Sequence, residues 1–258
     1  MNEKVVMHGF YWGILVLLLV PIVLAHTEET ISNKALTNTV LVLLGIAAGN
    51  AFLLIFLSRK AKHKTIFFLG IIIPIIGATL FLVGVTIFTN LSAVTKGPVH
   101  WHADYEIWAC GEKVELVNPS GISNKIGTSL FHEHNDNRIH IEGVVEDLHE
   151  VNLQHFFEVV GGEFTGSGVT LITEEGKVSY ENGEICNGIL QVFLYTIDEG
   201  EVTQEKLHDF VIHVPSPYSE VPPGDCLVIE FGEEKETTER ICETYEIALE
   251  KGEIRYGS

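Results

Sequence analysis

Three apolar runs dominate the beginning of the chain and predict helices that cross a membrane. They cover residues 5–25, 36–57 and 65–89, and none of them contains an Asp, Glu, Lys or Arg residue. A spanning helix needs about 20 mostly apolar residues, because the hydrocarbon core of a bilayer is about 30 Å thick. We therefore expect residues 1–96 to form a transmembrane anchor of three spans, with the lipid bilayer as a partner.

The charged loop between the second and third runs predicts the orientation of this anchor. Four basic residues lie within residues 58–64, and cytoplasmic loops are those that carry an excess of Lys and Arg. The third span then leads outward. This places residues 97–258 on the extracytoplasmic side of the cell membrane, as the soluble domain of a multi-pass protein.

The first run has a second interpretation, as a secretory signal peptide. Its end, at residues 23–25, resembles the small-residue cleavage site of such peptides. Cleavage after Ala25 leaves two spans and makes His26 the new N-terminus. The amine and ring of His26 would then be able to chelate copper together. The sequence leaves both interpretations open.

Beyond residue 96 the long runs give way to short alternating segments, which are typical of strands with one buried face. The clearest is 99–109, where apolar and polar residues alternate. The apolar set, which we assign to the core face, is Trp101, Ala103, Tyr105 and Ile107. The opposite face carries His100, His102, Asp104 and Glu106.

Other segments of 97–258 predict the rest of a small α+β domain with a mostly antiparallel sheet. Further strands are expected at 113–117, 138–142, 169–173, 177–180, 190–197, 210–214 and 226–231. Helices are expected at 152–160, where apolar residues recur at helical spacing before two glycines, and at 236–251. In the strand at 138–142 we expect Ile139 and Ile141 to face inward and His140 to face the other way.

The charge of the chain is concentrated in this domain and excludes one class of partner. Residues 97–258 carry nine Lys and Arg against 32 Asp and Glu, a formal charge of −23. Binding to the phosphates of nucleic acids needs a basic face. Nucleic acid is therefore excluded as a partner. The acidity favours a soluble, solvated exterior, and a field that attracts cations is the alternative.

All four cysteines also lie in this domain, where an extracytoplasmic location permits disulfides. They are Cys110, Cys186, Cys226 and Cys242. Structural disulfides are the favoured interpretation, and the three ways of pairing four cysteines stay open. The alternative is a thiolate that Cys110 contributes beside the histidine strand. No C-x-x-C occurs, which disfavours a thioredoxin-type centre or a zinc ribbon.

Histidines carry the candidate chemistry, since five of the twelve fall within residues 100–140. Two His-x-His pairs occur, and each projects both imidazoles from one side of a strand because side chains alternate with period two. Neutral imidazole binds copper and zinc. The predicted metal ligands are His100, His102, His132, His134 and His140. Orienting groups or spare ligands are Asp104, Glu106, Glu142 and His149, with Asp104 favoured as the orienting carboxylate.

Several of these segments, taken in order, resemble a family of prokaryotic membrane-anchored extracytoplasmic domains that has no established function. The resemblance covers residues 99–232. It is carried by His100, His102, Asp104, His132, His134, Ile139 to Glu142, Leu153, Phe156, Phe157 and the segment from Pro223 to Gly232. Cys226 departs from the family, which often has a basic residue there, and this fits an added local disulfide. The resemblance implies a domain boundary and an important histidine cluster, and it implies no chemistry.

Together these patterns predict an integral membrane protein whose extracytoplasmic domain binds copper or zinc for metal handling, sensing or delivery. The alternative is a non-enzymatic interaction module or accessory subunit of a membrane complex, partnered by another membrane protein, with the histidines as a pH-sensitive contact. A cupin-like metalloenzyme is a third interpretation, because His100, His102, Glu106 and Gly111 resemble the first cupin half-motif. The second half-motif is missing, and no nucleophile signature occurs, so we favour a protein that is not an enzyme.

Overall fold

The computed structural model describes residues 31–57, 64–119, 124–184, 186–216 and 224–257. The chain divides into two compact units, Met1–Thr89 and Asn90–Ser258. Helix α1 is Ile31–Leu57 and lies in the first unit. Helix α2 is Lys64–Ser92 and begins in the first unit.

Within the described residues, one helical segment is long and apolar enough to cross a membrane, Phe68–Ser92 in α2. In α1 the apolar segment found among the described residues is shorter, Val40–Phe52. The predicted span at 5–25 and the position of His26 lie outside the described residues. The structure therefore supports one candidate membrane helix where the sequence predicted three spans.

Twelve strands and two helices of the described residues belong to the second unit. The strands, in chain order, are β1 (Pro98–Ala109), β2 (Glu112–Val114), β3 (Ile126–Gly127), β4 (Phe131–Glu133), β5 (Arg138–Val144), β6 (Glu163–Phe164), β7 (Gly168–Thr173), β8 (Gly176–Glu181), β9 (Ile189–Asp198), β10 (Glu201–Leu207), β11 (Gly224–Gly232) and β12 (Arg255–Tyr256). The helices are α3 (Leu153–Val159) and α4 (Glu243–Glu250), and short 3-10 turns lie at Leu148–Val151 and Phe210–Ile212.

Nine strands form one mixed sheet, in the order β12-β10-β9-β11-β1-β5-β4-β3 with β2 paired to β1. Most neighbours are antiparallel, but β1 is parallel to β11 and β10 is parallel to β12. The parallel pairing of β1 with β11 joins the first and the last long strand of the unit, and it places β1 in the interior of the sheet. Strands β6, β7 and β8 form a separate antiparallel sheet.

One face of the large sheet packs on α3 and the small sheet and forms the main core. On β1, Ala103, Tyr105 and Ile107 are buried, as the alternation predicted, and Trp101 packs at the edge of this core. Helix α3 begins after Asn152, whose side-chain oxygen accepts a hydrogen bond from the backbone N–H of His155. Its apolar side is fully buried because Phe156 and the residues beside it pack into this core.

The other face of the sheet packs against a helix over part of its width, and His132 and His140 on this face are also buried. Helix α4 packs on β9, β10 and β11 through a second buried cluster that includes Phe193, Val228, Tyr245 and Ala248. The strands β1, β5 and β4 occupy the other part of this face, and they carry the histidines.

Several elements of the second unit differ from the sequence prediction. Residues 210–214 were predicted to be a strand, but Phe210–Ile212 form a 3-10 turn. Strand β10 was missed because its sequence is mostly polar, and Val202 is its one residue that is fully buried. The last helix is also shorter than predicted. It begins at Glu243, because Gln204 donates a hydrogen bond to the carbonyl oxygen of Thr238 and so holds the preceding segment against the sheet.

The four cysteines form two disulfides, Cys110–Cys186 and Cys226–Cys242. The first links residues 76 apart in sequence and joins the end of β1 to the loop before β9. The second links residues 16 apart and joins β11 to the residue that precedes α4. This selects one of the three pairings and excludes the alternative of a free Cys110 thiolate.

A buried carboxylate at the start of β11 gives the unit a predictable response to pH. Asp225 is 1% exposed, and one of its oxygens accepts a hydrogen bond from the backbone N–H of Ser216. The other oxygen has no hydrogen-bond partner among the described residues. Burial therefore raises the pKa of Asp225 to about 6.

We expect Asp225→Asn to stabilise the protein at pH 8 and to have little effect at pH 4. A raised folded-state pKa means that the charged form opposes folding, so stability falls as the pH rises from about 4 to about 6 and stays lower above it. The gain at pH 8 is on the order of 1–3 kcal/mol in the free energy of unfolding. Urea unfolding of both proteins, with a chelator present, measures the difference. An equal effect at both pH values would contradict this origin.

Candidate metal centre

The register of three neighbouring strands brings the histidines together. Residues that lie directly opposite each other on antiparallel strands project from the same face of the sheet. His102 of β1 lies opposite His140 of β5, which in turn lies opposite His132 of β4. Two residues away on the same strands, His100 of β1 lies opposite Glu142 of β5. The result is a row of three imidazoles across the sheet, with a fourth imidazole and a carboxylate beside it.

The outer part of this cluster is formed by His100, His102, His140 and Glu142. The Nε2 atoms of His100 and His102 are 2.9 Å apart, and His100 Nε2 is 3.1 Å from Glu142 Oε1. His140 Nδ1 is 4.0 Å from the same oxygen. One donor atom from each residue lies within 4.8 Å of the others. Donors held about 2.0 Å from a tetrahedral ion are themselves separated by roughly 3.3 Å, so this group has the spacing of a metal site that needs only small adjustments.

The inner part is formed by His132, His134 and His140, whose donor atoms also lie within 4.8 Å of one another. The rings of His132 and His140 stack nearly parallel with centroids 5.4 Å apart, and the ring of His134 stands edge-on to both at 4.8 Å. His134 Nδ1 is 2.5 Å from the carbonyl oxygen of Asn124. Since a carbonyl only accepts hydrogen bonds, this contact places the proton on Nδ1 and leaves Nε2 of His134 free to bind an ion.

Burial keeps the central imidazoles uncharged. Burial, together with the neighbouring His140 and His100, lowers the pKa of His102 to about 4. Burial also lowers the pKa of His132 to about 4. For His140 the same cause lowers the pKa, although the nearby Asp136 carboxylate acts in the opposite direction. Uncharged imidazole is the form that binds metal, so the cluster needs little deprotonation near neutral pH.

Asp136 orients the imidazole of His140. Its Oδ2 is 3.1 Å from His140 Nε2, which therefore carries the proton and donates it. His140 Nδ1 then carries a lone pair and has no hydrogen-bond partner among the described residues. His132 Nδ1 also has no hydrogen-bond partner among them. A carboxylate that holds one ring nitrogen while the other binds an ion is the usual arrangement at metal-ligating histidines.

The turn that carries Asp136 is itself held by a buried carboxylate. Glu133 accepts a hydrogen bond from the backbone N–H of Asp136 at 2.9 Å. Asn135 and Asn137 adopt positive φ angles of 65° and 52° in this turn, a conformation that asparagine tolerates. The backbone N–H of Tyr105 on β1 donates to the carbonyl oxygen of Asn137 at 2.9 Å, so β1 fixes the turn from the side.

The roles of Asp136 and Glu133 were not predicted from the sequence. The available signal was the position of Glu133 between His132 and His134, where the alternation turns its side chain away from the histidine face. Asp136 lies in a turn, and no periodicity relates its side chain to His140.

The groups predicted to assist the histidines are distributed differently. Glu142 lies within the cluster. Asp104, predicted to orient a ligand, instead pairs with Arg138 at 2.8 Å and accepts a hydrogen bond from Thr244 of α4. Asp104 lies on the histidine face, as predicted. Arg138 lies opposite it on β5 and forms an ion pair with it. Burial outweighs these two contacts and raises the pKa of Asp104.

Two further predicted groups also lie apart from the cluster. Glu106 accepts hydrogen bonds from Trp108 Nε1 and Lys113 Nζ, both at 2.9 Å. His149 lies in the 3-10 turn before α3 and belongs to neither histidine group. Of the predicted ligands and assisting groups, the fold thus brings together the five histidines and Glu142.

No protein-family model, curated protein or solved structure matches the chain. The fold and the cluster define a mixed, sheet-rich domain with a histidine site that can hold a metal ion.

The Arg138–Asp104 pair borders the site and gives a test of how the site is supported. Arg138→Ala leaves the Asp104 carboxylate buried with Thr244 as its remaining partner, so we expect a loss of about 2–4 kcal/mol in the free energy of unfolding. The double variant Asp104→Asn, Arg138→Met removes both charges and should recover most of that loss. Urea unfolding monitored by tryptophan fluorescence measures both.

Arg255→Ala is the matched control, because the Arg255–Glu201 pair has the same 2.8 Å separation but the Arg255 side chain is 75% exposed. Its effect should stay below about 1 kcal/mol. Equal destabilisation by the single and double variants at Asp104 and Arg138 would contradict the assigned role of the pair.

Proposed function

We propose that this chain is an integral membrane protein whose sheet-rich domain binds a transition metal, copper or zinc, at the extracytoplasmic face of the cell membrane. The role we assign is metal handling, sensing or delivery. The observation that carries the proposal is the row His102, His140 and His132 on three adjacent strands, with His100, His134 and Glu142 completing it.

The chemistry of the donors favours these two metals. Five imidazoles and one carboxylate are available, and magnesium and calcium prefer sites built from oxygen ligands. All four cysteines are in disulfides, so no thiolate is available to the ion. Copper stands highest in the affinity order of divalent metals, and zinc is commonly held by several histidines.

Three observations support the location. The helical segment Phe68–Ser92 is long and apolar enough to cross a bilayer. The basic loop at 58–64 is of the kind that stays in the cytoplasm, which directs the following unit outward. The two disulfides suit an oxidising compartment. The additional spans at 5–25 and 36–57 remain part of this proposal.

Metal binding is tested with the full-length protein extracted in detergent. After loading with Zn(II) or Cu(II) and removal of free ions, elemental analysis should find at least one ion per chain. The double variant His102→Ala, His140→Ala removes the centre of the row and should weaken binding about 100-fold or more, because it takes away ligands from both histidine groups.

His149→Ala, His208→Ala is the matched control, because it removes two exposed imidazoles that belong to neither group. It should bind as the unchanged protein does. Less than about 0.1 ion per chain in the unchanged protein would contradict the proposal, and so would equal losses in the two double variants.

A further inference from the structure

We propose that the histidine cluster holds two metal ions side by side, bridged by the carboxylate of Glu142. The inference rests on the proposed metal-binding function and adds the number of ions and the group that connects them.

The number of donors exceeds what one ion uses. Six residues contribute, in two overlapping groups that share His140. A tetrahedral copper or zinc ion takes four donors, so one ion would leave two of the six residues unligated. The stacked His132 and the edge-on His134 lie on one side of His140, and His100 and His102 lie along β1 on its other side. The two groups therefore suit two separate positions.

The shared residue can serve one of these positions only. His140 Nε2 donates to Asp136, which leaves Nδ1 as its single donor to a metal. We assign His140 to the inner position with His132 and His134. The outer position then has His100 and His102, and it needs a third protein ligand.

Glu142 supplies that ligand and reaches both positions. Its Oε1 is 3.1 Å from His100 Nε2, whereas its Oε2 is 3.9 Å from His132 Nε2. Glu142 thus lies between histidines of both groups, because its Oε1 is also 4.0 Å from Nδ1 of His140 in the inner group. A carboxylate that binds one ion through each oxygen holds two ions at the separation of about 3.5–4 Å that is typical of two-metal sites.

The two positions differ in access to solvent. The His100 side chain is 64% exposed, and the His132 side chain is 2% exposed. The outer ion therefore exchanges readily and depends on Glu142, and the inner ion keeps three imidazoles even when the carboxylate is removed. We expect the two ions to be released from the unchanged protein at different rates.

The experiment counts ions in the full-length protein in detergent by titration with Zn(II) against a coloured chelator. The unchanged protein should bind two ions. His100→Ala changes an exposed side chain with little risk to folding and should bind one. Glu142→Gln retains the size of the side chain but cannot bridge, so it should keep one tight ion and bind the second at least 10-fold more weakly. Glu146→Gln, an exposed change two residues beyond β5, is the control and should bind two.

Electron paramagnetic resonance of the Cu(II)-loaded protein tests the bridge independently. Two bridged Cu(II) ions should show spin coupling, and the Glu142→Gln variant should show only the spectrum of an isolated ion. One ion in the unchanged protein overturns the two-ion inference and leaves the proposed function intact, and no ion overturns the function itself. Two ions with uncoupled spins, or with affinities that Glu142→Gln does not alter, overturn the bridge.

Discussion

The antiparallel pairing of β1 with β5 is the constraint on which the site depends. It aligns His102 with His140 and His100 with Glu142, and the next pairing, of β5 with β4, adds His132 to the row. Because side chains alternate, a shift of one residue in this register would send the histidines to the core face and the isoleucines to the other. Ile139 and Ile141 are fully buried in the core, so burial of apolar surface on one face maintains the alignment of ligands on the other.

The rest of the domain holds β1 in place for this pairing. On its other side β1 is parallel to β11, and Cys226 of β11 is linked by a disulfide to the residue before α4. Helix α4 covers the neighbouring strands, and its Thr244 donates a hydrogen bond to Asp104 at the border of the cluster. Among the described residues, the cluster through which α4 packs on the sheet includes none of the histidines. One consequence is that the buried Nδ1 atom of His140 has no hydrogen-bond partner among the described residues, and a bound ion would satisfy this atom.

Local patterns predicted β1 and β5, which carry three of the five histidines, and long-range geometry determined the rest. The alternation along β1 predicted which residues lie on each of its faces, and the helical spacing of apolar residues predicted α3. Both patterns arise because each segment buries one side in the core. Strand β10 was missed because most of its residues are polar. It lies next to the edge of the sheet, where its outer partner is the two-residue strand β12, so few of its side chains are buried. Neither the parallel pairing of β1 with β11 nor the contact of Asp136 with His140 follows from periodicity, since one joins distant segments and the other depends on a turn. The histidine face was therefore predictable, and the orienting carboxylate and the disulfide pairing were not.

X-ray absorption spectroscopy of the zinc-loaded full-length protein tests the central claim most directly, because it reports which atoms surround the ion. If the strand register creates the site, the spectrum should show nitrogen and oxygen neighbours at about 2.0–2.1 Å with the multiple scattering of several imidazoles and no sulfur. Sulfur neighbours, or oxygen neighbours without imidazole scattering, would show that the ion binds elsewhere and would contradict the account.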